Sequence, residues 1–338
     1  MYKKDMGKIL SFDSRPTVIS CASVVGKKEH EGPLSEYFDM HDPSDKFGKD
    51  TFEKAESEMQ RLALNTALAK AELKSDDVGA VFAGDLMNQC TGSSYGLASF
   101  GIPYFGLYGA CSTAAEGLML ASMSVDKGVF GVAASVSSSH NCSAERQFRF
   151  PLEYGSQRPP TAQWTATAAG AFVIGHASKG VMAVTEALPG RIIDKGINDA
   201  NNMGAAMAPA AADTILRYFL CGGRDPKEFD LIVTGDLGEE GHSICRELMA
   251  NEGLVLGDNF NDCGKLIYDG TRQDTHSGGS GCGCSASVTA GYVARKFADG
   301  EIKNALLIGT GALMSPSSIQ QGLSIAGIGH LVRLETVG

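Results

Sequence analysis

The sequence predicts an α/β fold built from two similar halves. Strand-like apolar segments alternate with segments whose apolar residues recur at helical spacing. The tripeptide Gly84-Asp85-Leu86 is repeated 151 residues later as Gly235-Asp236-Leu237, each time after a short apolar strand. Cys111-Ser112 and Cys284-Ser285 each begin a small-residue helix that leads into another strand. We therefore expect mostly parallel sheets covered on both faces, in pseudo-symmetric halves at residues 1–178 and 179–338.

In the first half, β-branched runs predict strands and the apolar spacing of Ala55, Met59, Leu62 and Leu68 predicts a helix. The predicted elements are strand Thr17–Val25, helix Phe52–Leu73, strand Val78–Ala83, strand Tyr104–Gly109, a helix from Ser112 to Gly128, and strand Val129–Ser135. The second half repeats this order with strand Val181–Glu186, helix Ala205–Leu220, strand Leu231–Thr234, a helix from Cys284 to Ala298, and strand Ala305–Gly309.

Composition limits the functions open to the chain. With 338 residues, 43% apolar residues and 42 glycines, it can bury a large core. A net charge of −10 argues against non-specific nucleic-acid binding, and an acidic ligand would need a local basic pocket. The nine cysteines contain no C-x-x-C pair and predict free thiols in a reducing compartment. We expect no signal peptide and no membrane-spanning segment, so any membrane association would depend on partners.

Cys111 lies where a strand turns into a helix. Small residues at Gly109 and Ala110 permit a sharp turn, and Ser112 and Thr113 can cap the helix. A thiolate at a helix N-terminus is stabilised by the helix dipole. The position predicts either a nucleophile or an anion-binding corner, and an ordinary buried cysteine remains the alternative.

Asp85 and Asp236 occupy matching strand ends, where open α/β sheets place ligand-facing side chains. They could accept hydrogen bonds from a ligand or bind a cation, or each could cap its own turn. His140 follows a strand and three serines, in a loop that could reach Cys111. It is a candidate acid–base group or a structural histidine.

Arg146 and Arg149 alternate with Phe148 and Phe150. A guanidinium suits a carboxylate and an aromatic face suits a flat ring, whereas a salt-bridged surface segment would look the same. The glycine-rich loop Gly278–Gly281 could cradle an anion or pack tightly at the pseudo-twofold axis. It is not a phosphate-binding P-loop, because it lacks Gly-Lys-Ser/Thr, and the nearby cysteines do not complete a zinc site.

Several motifs together resemble a known family. The elbow Gly109-Ala110-Cys111-Ser112-Thr113 is similar to the reactive-cysteine turn of the thiolase and ketoacyl synthase superfamily. A set of further motifs, in order, resembles the stage V sporulation protein AD family: Gly84–Gln89, Ser138–Asn141, Ala144–Arg149, Ala206–Thr214 and Gly278–Cys282. The resemblance implies a thiolase-like, five-layered αβαβα sandwich whose two central helices begin near Cys111 and Cys284.

The resemblance also implies a function. Members of this family are understood to bind dipicolinic acid (pyridine-2,6-dicarboxylate), with or without calcium, for transport into the developing spore and release in germination. The expected partners are SpoVA membrane channel proteins, and the expected location is peripheral, at the spore inner membrane. A homodimer through the strand Tyr104–Leu107 is expected, and no cofactor or resident metal is. The predicted ligand-binding residues are Asp85, Cys111, His140, Arg146 and Asp236.

The chain departs from the condensing enzymes of the superfamily. Those enzymes supply a histidine after a second-half strand and an asparagine or second histidine from a later loop. Here these places hold Asp236 and Gly278–Gly281. Without such partners a cysteine loses most of its catalytic power, so we expect a non-catalytic binder. The alternatives are an acyl-thioester enzyme that uses Cys111 and a scaffold for the membrane channel.

Overall fold

The structure is a computed structural model, and it describes residues 8–148 and 158–337. Ten strands carry the fold: β1 Thr17–Val25, β2 Ala80–Gly84, β3 Tyr104–Leu107, β4 Val132–Ser139, β5 Ala168–Gly175, β6 Met182–Leu188, β7 Leu231–Thr234, β8 Phe260–Asp262, β9 Asn304–Leu313 and β10 Ala326–Glu335. Short strands occur at Leu10–Ser11, Met40–His41, Trp164–Thr165 and Gly279–Ser280.

The principal helices are α1 Phe52–Lys70, α2 Thr91–Leu97, α3 Thr113–Asp126, α4 Asn141–Phe148, α5 Met203–Leu216, α6 Gly238–Asn251 and α7 Cys282–Val288. Shorter helices cover Lys27–His30, Cys263–Leu266, Ala294–Ala298 and Pro316–Gln320. The first long helix ends earlier than predicted because Glu72 takes a left-handed conformation with φ of 56°, which a continuing helix cannot accommodate. Strands β5 and β10 lie where no strand is predicted from the sequence.

The two halves have the same strand order. In the first half the strands run β3-β2-β4-β5-β1, and in the second half β8-β7-β9-β10-β6. In each half the first two pairings are parallel and the last two are antiparallel. A short antiparallel pairing between β1 and β6 joins the halves. Residue 178 lies between β5 and β6, and Asp85 and Asp236 follow corresponding strands.

Three hydrophobic cores separate five layers. Helix α1 packs on the outer face of the first sheet, and α5 and α6 pack on the outer face of the second. Between the sheets lie α3 and α7, which contact each other, and their core includes Leu118, Val288, Phe172 and Leu307. Close packing needs small residues, since a Cβ on Gly309 of β9 would lie 2.6 Å from the Ala115 Cβ of α3. The predicted αβαβα sandwich with two central helices is confirmed.

Candidate functional site

Cys111 occupies a tight turn between β3 and α3. Ala110 adopts a left-handed conformation with φ of 53°, which a non-glycine residue rarely does. Two hydroxyl groups hold the turn: Ser112 Oγ donates to the Gly109 carbonyl at 2.6 Å, and Thr113 Oγ1 donates to the Ala110 carbonyl at 2.7 Å. The elbow therefore presents Cys111 at the start of the central helix α3.

The thiol of Cys111 is buried beside a carboxyl group. It is 5% exposed, its Sγ lies 3.9 Å from Ser280 Oγ, and Ser280 Oγ in turn donates to Asp236 Oδ2 at 3.2 Å. Burial is the largest cause that raises the pKa of Cys111 well above its usual value, and the negative charge of Asp236 is the next. Burial and the neighbouring carboxylate thus favour the protonated thiol, the opposite of the thiolate expected at a helix N-terminus.

Asp236 is fully buried and fully hydrogen-bonded. Its Oδ2 accepts from the Gly281 amide at 2.8 Å and from Ser280 Oγ at 3.2 Å, while its Oδ1 accepts from Thr310 Oγ1 at 2.7 Å. Burial raises the pKa of Asp236, whereas the hydrogen bonds from Cys111, Thr310 and Gly281 lower it. The glycine-rich loop thus donates its hydrogen bonds to the side chain of Asp236 rather than to a bound ligand.

A pocket opens above this buried group. It has a volume of about 280 Å³ and includes Cys111 in its wall. Apolar and aromatic side chains form most of the wall: Leu86, Tyr108, Ala144, Phe148, Met203 and Met314. Hydroxyl groups come from Thr165, Ser280 and Ser315, and Glu145 supplies the charged side chain of the described lining. None of the seven histidines lies in the described wall, so Cys111 has no imidazole base there.

Asp85 lies outside the described wall of this pocket. Its Oδ1 accepts from the Met87 amide at 2.9 Å, and its Oδ2 accepts from the amide and hydroxyl of Ser93, each at 2.7 Å. The side chain is fully buried, which raises its pKa. Asp85 also contributes, after burial itself, to raising the pKa of the nearby Glu56 to about 8. Asp85 therefore caps the turn that follows β2, as the second of its two predicted roles requires.

His140 is also directed away from Cys111. Its Nε2 donates to the Asp45 carbonyl at 2.8 Å, and its Nδ1 accepts from the Cys142 amide at 3.2 Å, which assigns a neutral ring. Burial lowers its pKa. Both ring nitrogens are therefore engaged in fixing the start of α4.

Arg146 lies on the opposite side of α4 from the pocket. Its Nη1 is 3.0 Å from Glu53 Oε1, and its guanidinium carbon is 5.9 Å from the Phe52 ring centre. It lines a separate crevice with Asn88 and Gln147. Of the five predicted site residues, the structure brings together Cys111 and Asp236 and leaves Asp85, His140 and Arg146 in other contacts. Arg149 and Phe150 lie outside the described residues.

Three polar groups that were not predicted from the sequence hold the elements around the pocket, and Tyr108 is the one that lies in its described wall. Gln147 joins α4 to the segment after β2, since its Oε1 accepts from the Asn88 amide at 2.9 Å and its Nε2 donates to the Leu86 carbonyl at 3.0 Å. Tyr108 donates to Asn88 Oδ1 at 3.0 Å from the opposite wall. Thr310 holds Asp236 from the end of β9. Thr310 could have been predicted, because β9 occupies the place in the second half that β4 occupies in the first, next to the strand that delivers the aspartate. No sequence pattern indicated the contacts of Gln147.

Two absences apply to the described residues. Within residues 8–148 and 158–337, no group of three or more histidine, cysteine, aspartate or glutamate side chains is arranged to hold a metal ion. Across the same ranges, none of the helices has both the length and the apolar character needed to cross a bilayer.

Comparisons with known proteins agree with this architecture. The chain resembles 3-oxoacyl-[acyl-carrier-protein] synthase III of Aquifex aeolicus VF5, with a TM-score of 0.57 and 12% identity over 95% of this chain and 99% of that one. It also resembles OleA of Xanthomonas campestris crystallised with cerulenin, with a TM-score of 0.60 and 13% identity over 96% and 98%. At such low identity these likenesses concern the thiolase-like fold alone.

Sequence comparison is more specific. A sequence model of the family described as stage V sporulation protein AD matches residues 7–335. The stage V sporulation protein AD of Bacillus subtilis (strain 168) is 41% identical over 321 residues, which cover 95% of this chain and 94% of that protein. The chain therefore belongs to the stage V sporulation protein AD family, a sporulation family with the thiolase-like fold.

Proposed function

We propose that this protein binds dipicolinic acid, without chemical turnover, in the pocket above Cys111. The observation that carries the proposal is the pairing of Cys111 with Asp236. A condensing enzyme needs a thiolate and a base, and here a carboxyl group and burial keep the thiol protonated. The pocket is present although its described wall holds no histidine, which favours binding over the acyl-thioester chemistry that the fold supports elsewhere.

The pocket walls suit a small aromatic acid. A cavity of about 280 Å³ is close to the lower end of the roughly 300–1,000 Å³ typical of small-molecule sites. Tyr108 and Phe148 offer ring faces for a pyridine, and the hydroxyl groups of Thr165 and Ser315 can donate to carboxylate oxygens. Because the described lining contains no lysine or arginine, we expect the uncharged calcium chelate to bind better than the free dianion.

The same proposal covers partners and location. The ligand would pass to or from SpoVA membrane channel proteins at the spore inner membrane, where this protein would be peripheral. A homodimer would form through β3, an edge strand on which Tyr104 and Phe105 are 38% and 47% exposed. Unpaired edge strands with apolar side chains readily add a second strand, which supports this part of the proposal.

Calorimetric titration with dipicolinate, with and without calcium, tests the proposal. Ala144 is 4% exposed in the pocket wall, so Ala144→Leu should fill the cavity and weaken binding at least tenfold. The matched control is Arg146→Ala, on the same helix but outside the pocket, which should change the affinity by less than about twofold. Absence of saturable binding in the parent, or equal binding by Ala144→Leu, would contradict the proposal.

A further inference from the structure

A second site is indicated by Glu29, a buried carboxylate with one unsatisfied oxygen. Glu29 is 1% exposed, in the short helix Lys27–His30. Its Oε1 accepts from the Thr167 amide at 3.0 Å and from the Tyr268 hydroxyl. Its Oε2 is buried and has no hydrogen-bond partner. A buried acceptor without a partner costs about 1–3 kcal/mol, and more when it is charged, so a group other than the protein is expected beside it.

The space beside this oxygen is shared with a second carboxylate. A Cβ on Gly26 would lie 2.8 Å from Glu29 Oε2, 2.3 Å from Asp45 Oδ1 and 2.9 Å from the Thr167 Cβ. The two carboxylate oxygens, from residues 16 apart in the sequence, therefore border the same small volume, and Asp45 Oδ1 also accepts from the Lys27 amide at 2.6 Å. Only glycine at position 26 leaves that volume open.

The two carboxylates have no ion-pair partner among the described residues, although Glu29 attracts the charge of the adjacent Lys28. No lysine or arginine in the described part of the chain forms an ion pair with Glu29 or Asp45; Lys27 pairs with Glu31, and Lys28 donates to the Gln273 carbonyl. Burial, with a further contribution from Asp45, raises the pKa of Glu29 to about 7. Two facing carboxylates in a desolvated position favour the uptake of a cation.

We propose that Glu29 and Asp45 bind a calcium ion in the space that Gly26 leaves open. The donors are oxygens of hard carboxylates, which suit calcium rather than a transition metal, and water can complete its flexible coordination. With two protein carboxylates instead of three or more, the affinity should be modest, with a Kd of about 0.1–1 mM. Neither residue lies in the described wall of the Cys111 pocket, so this site is independent of the dipicolinate proposal.

The calcium ion would stabilise the corner from which α4 begins. The Asp45 carbonyl accepts from His140 Nε2, and the Asn141 amide donates to Thr167 Oγ1 at 3.1 Å. Both contacts connect the carboxylate pair to His140 and Asn141, at the start of α4, and the same helix carries Ala144 and Phe148 in the pocket wall. Calcium would thus link the loop that carries Asp45 to the beginning of β5.

Thermal unfolding in calcium chloride, at constant ionic strength and without dipicolinate, tests the site. At 10 mM calcium, a Kd of about 0.1–1 mM predicts a shift of roughly 10- to 100-fold in the unfolding equilibrium of the parent. Glu29→Gln and Asp45→Asn should each abolish most of this shift. The control Asp42→Asn removes a carboxylate of the same loop that accepts from Ser44 instead, and it should respond as the parent does.

Terbium luminescence provides the direct measurement. Tyr268, bonded to Glu29, and the nearby Trp164 can sensitise a bound terbium ion, and calcium should displace it. If Glu29→Gln fails to fold, Asp45→Asn decides the question, because Asp45 is only half-buried. No calcium-dependent shift in the parent would show that water or a proton satisfies Glu29 instead. An undiminished shift in Asp45→Asn would place the ion elsewhere, and an equal shift with magnesium would contradict a site that selects calcium.

Discussion

Replacing Asp236 by asparagine should make the Cys111 thiol reactive. In the parent, burial and the Asp236 charge both raise the pKa of Cys111. Two unit charges about 4 Å apart interact by about 4 kcal/mol at an effective dielectric constant near 20, which sets the upper limit for the carboxylate. Burial of the thiol remains in the variant, so we expect the pKa of Cys111 to fall without returning to its usual value. Each loss of about 1.4 kcal/mol of this repulsion corresponds to a tenfold larger thiolate fraction at a fixed pH.

The assay is alkylation by iodoacetamide as a function of pH, with the modified peptide identified by mass spectrometry. Asp85→Asn is the matched control, because Asp85 is an equally buried carboxyl group after the corresponding strand of the other half, and its partners are Met87 and Ser93. It should leave the alkylation rate of Cys111 unchanged. If Cys111 in Asp236→Asn reacts no faster than in the parent at any pH, the carboxyl group does not suppress the thiolate and the reasoning fails.

Three further predictions concern the pocket, the thiol and the buried carboxylate. Phe148→Ala should weaken dipicolinate binding by roughly 2- to 10-fold in calorimetry, because an aromatic contact is worth about 0.5–1.5 kcal/mol; unchanged affinity would remove Phe148 from the site. Acyl-CoA should leave Cys111 unmodified in mass spectra, whereas a ketoacyl product that is lost in Cys111→Ala would favour an enzyme. The pKa of Glu29 rises from 4.5 to about 7 on folding, so protonation of Glu29 stabilises the folded state. This contribution is complete below pH 4.5 and is lost as the pH rises through 7. Without calcium, Glu29→Gln should therefore remove roughly 3 kcal/mol of the fall in unfolding free energy between pH 4.5 and 8; an unaltered profile in urea denaturation would contradict this.

The fold was predictable because its signals are local and repeated. The helix α1 and the strand β1 follow from apolar spacing and β-branched residues, and the duplication follows from the Gly-Asp-Leu tripeptides after β2 and β7. The elbow at Cys111 required only small residues between a strand and a helix. Strand β5 was missed because it is completely buried, so its residues show little alternation between apolar and polar types. Strand β10 was missed because glycines and charged residues interrupt its apolar run.

The contents of the site were less predictable, because they depend on which side chains meet across the sequence. Arg146 is two residues from Ala144 and from Phe148, so on a helix it points to the face opposite them. The carboxylate of Asp85 is fully hydrogen-bonded by the turn that follows it. The corresponding Asp236 instead accepts from Ser280, which lies beside Cys111. Neither difference is visible in the identical tripeptides that contain these two aspartates.

The most direct test of the central claim is a crystal structure of the protein grown with dipicolinate and calcium. We predict density for an intact pyridine dicarboxylate between Tyr108 and Phe148, with Cys111 Sγ unmodified and still beside Ser280 and Asp236. A ligand bound elsewhere, such as the crevice beside Arg146, or an acyl group attached to Cys111, would contradict non-catalytic binding in this pocket.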